Sequence, residues 1–117
     1  MLVLLPQTTY VNNGTNAPYD VVGDKSQAAG YYISGKTLQT VFFKFSNVTA
    51  TVSIEATLSD NPTESDWFTV HSFTANAVTL TNSTLSSYAN IEGNFMYVRA
   101  KLTNFMSGIV DFIRINY

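Results

Sequence analysis

Residues 51–58 alternate strictly between polar and apolar, Thr51-Val52-Ser53-Ile54-Glu55-Ala56-Thr57-Leu58, and a second alternating run, Asn94-Phe95-Met96-Tyr97-Val98-Arg99-Ala100-Lys101-Leu102-Thr103, answers it later in the chain. Successive side chains of an extended chain point to opposite faces. Val52, Ile54, Ala56 and Leu58 therefore share one side of the first run, and Met96, Val98, Ala100 and Leu102 share one side of the second. The opposite sides are polar. Strands with one dry and one wet face need antiparallel neighbours and a second layer over the dry face, which predicts an all-β sandwich or barrel.

The rest of the chain fits that frame. Thr40–Ser46 is a firm strand with Val41, Phe43 and Phe45 inward and Phe42 and Lys44 outward. Ser46 to Ala50 is expected as a short turn, so that 40–46 and 51–58 form a hairpin. Along Trp67–Phe73, Trp67 and Phe73 share one side and Phe68 and Val70 the other; a bulge between them would turn most of the aromatic residues inward. Weaker extended pieces are expected at Ala77–Leu80 and Tyr88–Ile91, and Asn104–Gly108 is expected to turn the chain into a last strand, Ile109–Tyr117. Residues 7–39 are broken by Asn13-Gly14, Pro18, Gly23, Gly30 and Gly35, with short strands near Thr8–Val11 and Tyr31–Ser34. Helical periodicity never exceeds two turns, and Ser83–Tyr88 holds at most one. The count is about eight strands in a single domain, residues 1–117.

The surface of this sandwich is weakly charged. Charged residues make up 12% of the chain, with a net charge of −2, while Asn, Thr and Ser number 11, 15 and 11. Thr favours strands and Asn and Ser favour turns, so the composition suits a turn-rich β-protein whose copies repel one another little. The six basic residues are scattered, so no patch is positioned to neutralise a row of phosphates, and nucleic acid is not an expected partner. Without cysteine there is no disulfide, thiolate metal site or thiol nucleophile. The apolar start Met1–Leu5 is too short before Pro6 for a signal-peptide core, and no later segment approaches a membrane span. Residues 1–6 are expected as an edge strand or as an arm that docks on a neighbouring subunit.

Few residue patterns point to chemistry. Asp60, Asn61, Glu64 and Asp66 gather oxygen donors in one loop, which a calcium ion could use, although the spacing matches no calcium loop and a solvated turn is the plainer expectation. His71 is the sole histidine and no spacing supplies it with a catalytic partner, so no catalytic residue, metal or cofactor is assigned and an enzyme is not expected. The three Asn-X-Ser/Thr triplets at Asn13, Asn47 and Asn82 are as many as this composition yields by chance. Tyr31, Tyr32, Trp67, Tyr97 and Tyr117 offer rings on which a sugar could stack, Trp67 and Tyr97 above all, or which fill a core or a subunit contact.

The segments Val52–Asp60, Asp66-Trp67-Phe68, Phe95-Met96-Tyr97-Val98-Arg99-Ala100-Lys101-Leu102 and Ser107-Gly108-Ile109-Val110 resemble, in order and spacing, a module common in tailed-phage virion proteins. They are similar also to galactose-binding-like jelly rolls of the discoidin type. The resemblance covers the C-terminal half of the chain and implies a jelly-roll β-sandwich used as a structural component of a phage head, neck, tail or fibre in several copies. Asn61-Pro62 departs from the glycine usual in that turn, and the sugar-binding loop residues of discoidin-like lectins have no counterpart. By this resemblance Trp67 plugs the core, Val98 and Ala100 point inward and Arg99 points outward, and Arg99 or Lys101 is expected to pair across strands with Glu55. The expected function is therefore a non-enzymatic virion protein, made in the host cytoplasm, whose partners are its own copies and other virion proteins. Leu2, Leu4, Phe42, Phe105 and Met106 are its expected contact residues. The alternative is a small carbohydrate-binding module for a host-surface glycan.

Overall fold

The computed structural model describes residues 2–11, 18–32, 36–75 and 84–117. Its elements are β1 (Leu2–Leu5), β2 (Thr8–Thr9), β3 (Tyr19–Val22), β4 (Ser26–Gln27), a helical turn α1 (Ala29–Tyr32), β5 (Leu38–Thr57), a 3-10 turn (Glu64–Asp66), β6 (Phe68–Ala75), β7 (Thr84–Glu92) and β8 (Tyr97–Asn116). All strand pairings are antiparallel.

Two 20-residue strands, β5 and β8, run side by side from Thr40 opposite Asn116 to Thr57 opposite Tyr97. Each is shared between two layers. The first half of β5 pairs with β7 and the second half with β6; the second half of β8 pairs with β1 and β2, and its first half with β3 and β4. The first sheet is thus β1, β8, β5, β7, and the second is β3, β8, β5, β6. Counting each half-strand in chain order, with β2 grouped with β1 and β4 with β3, these orders become 1-8-3-6 and 2-7-4-5. This interleaving is that of a jelly roll. Phe43 and Phe45 of the first sheet meet Phe73 of the second at ring distances of 5.0 and 6.1 Å, so the two layers face one another across a single core.

The bends in β5 and β8 are built from residues that change which side chains face inward. Val41, Phe43 and Phe45 are buried at odd positions, and after Asn47 the buried positions become Val48, Ala50, Val52, Ile54 and Ala56. Asn47 has φ 57°, the left-handed conformation that asparagine tolerates, and inserts the extra residue that shifts the alternation. In β8 the same change occurs at Asn104 (φ 54°) and Gly108 (φ 92°), between Leu102, Phe105 and Val110. A Cβ on Gly108 would collide with the Asn47 carbonyl, so the two bends touch and only glycine fits.

These bends correct the expected hairpin. Residues 46–50 do not reverse the chain, because Val48 and Ala50 are buried and the strand continues with β8 beside it throughout. Likewise residues 104–108 bend β8 without ending it. Tyr31 lies in α1, where Tyr31 N–H donates to the Ala28 carbonyl and Gln39 Oε1 accepts from Ala29 N–H, so the strand expected near Tyr31–Ser34 is not formed at its start; residues 33–35 lie outside the described residues. At the N-terminus β2 is limited to Thr8–Thr9, although Tyr10 N–H still reaches the Gly108 carbonyl. The expected piece at Ala77–Leu80 falls outside the described residues, whereas Thr84–Tyr88 is strand and not helix. The bulge in β6 falls at Val70, between the pairs His71–Ile54 and Thr69–Glu55. Among the described residues no helix is long and apolar enough to cross a membrane.

Candidate interaction surface

The outer face of the first sheet follows directly from the alternation that builds the core. With Val41, Phe43, Ile113 and Ile115 buried, Phe42, Lys44, Phe112 and Arg114 must point away from it. The strand register then lines Val3, Arg114, Phe42 and Tyr88 up as one row across four strands. The Phe42 and Phe112 rings lie 5.2 Å apart, and the Arg114 guanidinium covers Phe112 at 4.0 Å. Arg114 Nε is buried and has no hydrogen-bond partner among the described residues. Tyr88 is the most exposed large apolar residue described, at 67%, and Val3, at the other end of the row, and Leu38 are exposed as well. Aromatic residues with an arginine stacked among them are the composition of protein contact surfaces.

The outer face of the second sheet is closed in a different way. Arg99, opposite Glu55 in the register, donates from Nε to Glu55 Oε1 at 2.8 Å and from both terminal nitrogens to Glu64 at 3.1 and 3.0 Å. Trp67 lies over the guanidinium at 4.3 Å. The Arg99 side chain is thereby buried to 8% exposure, while Glu64 stays 85% exposed. Hydrogen bonding and the charge of Arg99 hold the Glu64 carboxyl below the usual glutamate range. Trp67 does not plug the core as the resemblance implied: β6 begins at Phe68, which leaves the indole outside, where a cation is available to stack against.

The other expected site residues fall as follows. Leu2 is exposed on the edge strand β1, and Met106 is exposed between the two bends of β8. Leu4 and Phe105 are core residues, at 1% and 0% exposure, and so are not contact residues. Leu4 is inward in β1, and Asn104 turns Phe105 into a cluster with Tyr10 and Tyr19, at ring distances of 5.5 and 5.7 Å. Phe42 is half-buried on the outer face as expected. In the acidic loop, Asp66 accepts from Thr63 N–H and Oγ1–H, Asn61 N–H donates to Ser59 Oγ, and Glu64 is held by Arg99. Among the described residues no three His, Asp or Glu side chains converge. His71 lies inward with its ring beside Phe43 and Phe73. Tyr97 sits 5.6 Å from Tyr31 with Lys25 over its ring at 4.7 Å; burial, Tyr31 and Asp60 push its phenol above the usual range.

Tyr88, Phe112 and Arg114 are surface residues that the sequence reading missed, whereas Val3 lies in the arm it expected to make contacts. Phe112 and Arg114 alternate with Ile113 and Ile115, so their outward direction was available; their alignment with Phe42 and Tyr88 depends on register. Comparison of the chain with protein-family models, with curated proteins and with solved structures finds no match.

Proposed function

We propose that this chain is a non-enzymatic structural protein of a virus particle, resembling tailed-phage virion modules, which assembles in several copies and packs its first sheet on a neighbouring subunit. The observation that carries the reading is the row Val3–Arg114–Phe42–Tyr88, an aromatic face on an otherwise weakly charged molecule. The jelly roll supports it, since viral coat domains use this fold, as do lectins. Low charge favours close packing of identical copies. Size-exclusion chromatography with light scattering tests the reading: oligomers that grow with concentration are expected, and a strict monomer at millimolar concentration would overturn it.

A second reading, glycan binding, rests on the Tyr31–Tyr97 pair with Lys25 beside it. Of the two rings expected to stack on sugar, Trp67 already covers Arg99. Binding on a glycan array that Tyr97→Ala abolishes would establish this reading, and a blank array would remove it.

A further inference from the structure

Sheets expose unpaired backbone at their edges, and proteins commonly blunt those edges with bulges, prolines, charges or very short strands. Three edge stretches of this molecule carry such devices. The register of β1 shifts between Val3 and Leu5, and Pro6 follows. β3 follows Pro18 and is only four residues long, while β6 carries the bulge at Val70. β2 and β4 are only two residues each. β7 differs from all of them. It pairs with β5 over nine consecutive positions, Thr84 opposite Ser46 to Glu92 opposite Leu38, without a shift. It contains no proline, its one charged residue is Glu92 at the end, and no described strand lies on its other side.

We propose that β7 is the site at which two copies of this chain join, edge to edge and antiparallel about a two-fold axis, fusing their first sheets into one of eight strands. The inference rests on the reading above that copies of the chain assemble. An antiparallel strand is complementary to itself under a two-fold axis, so a second copy brings the matching edge without any further adaptation. Centring the axis on Tyr88 pairs all nine residues. Ser86 then meets Asn90 of the second copy, and Glu92 meets Thr84, so no acid faces an acid. Tyr88, the most exposed large apolar residue described, meets its own copy on the outer face, and the aromatic row continues across the junction.

The absence of cysteine makes the test clean. With Tyr88→Cys, directly paired residues lie within the Cα separation that a disulfide spans, so mild oxidation gives a covalent dimer as the main product, whereas Ser72→Cys on the bulged β6 edge gives only background. Tyr88→Lys, or Asn90→Lys as a second variant, weakens self-association by at least about tenfold, through like charges at the axis or a lone charge at the junction. If light scattering shows oligomers but the Tyr88→Cys variant cross-links no better than the Ser72→Cys variant, or both lysine variants still associate as the unmodified chain does, edge pairing is wrong and the assembly reading stands. If the unmodified chain is a monomer throughout, both fall.

Discussion

Arg99 is the residue on which the outside of the second sheet depends. It joins Glu55 on β5, Glu64 on the 3-10 turn and Trp67, the residue just before β6, through one guanidinium. Arg99→Met removes the cation from the largely buried Glu55 carboxylate and the stacking partner from the indole. The expected loss is about 3 kcal/mol in chemical denaturation, in the range for breaking a buried pair. Glu64→Gln, at an exposed position, is expected to change stability far less. Arg99 lowers the Glu64 pKa, so the contribution of this contact is complete above the unfolded glutamate value and is lost as the pH falls through the folded one, which lies below 4.5. Trp67 is the sole tryptophan and reports the event directly. A fluorescence transition on acidification below that value is expected, and it should be absent in Glu64→Gln.

The long strands show how far sequence reasoning reaches along an element. The alternation of 51–57 and 98–102 gave the faces of β5 and β8 correctly, because burial follows the pleat wherever the pleat is regular. It left Arg99 and Lys101 both open as partners of Glu55; the register selects Arg99. It failed at Ser46–Ala50 and Asn104–Gly108, where Asn and Gly are as suitable for a bend within a strand as for a turn between strands. Only the partner decides, and the partner lies far along the chain. Leu58 belongs to the alternation but falls past the end of β5 and is exposed. Gly108→Ala tests the bend: a positive φ and contact with the Asn47 carbonyl predict destabilisation of about 1–3 kcal/mol, whereas Asn47→Gly is expected to alter stability by only a few tenths. Thermal and denaturant unfolding of the two variants separates these outcomes.

As a whole the molecule is held by contacts between residues distant in sequence. Each rung between β5 and β8 joins positions separated by 40 residues at Thr57–Tyr97 and by 76 at Thr40–Asn116. Such closures precede the contacts that reward them, so folding on the millisecond-to-second scale is expected in stopped-flow Trp67 fluorescence. Phe105, buried where Tyr10 and Tyr19 converge on the bend of β8, should be among the costliest truncations, with Phe105→Ala losing about 3–5 kcal/mol. The bends of β5 and β8 also act on the chain as phase shifts act on a reading frame. Removing one residue at Asn47 would hand every inward place up to the end of β5 to Thr49, Thr51, Ser53, Glu55 and Thr57, and would send Val52 and Ile54 into water. Length changes in descendants of this gene should therefore collect in the stretches between strands and be purged from the two bends, where a lost codon does the harm of a frameshift while leaving the message in frame.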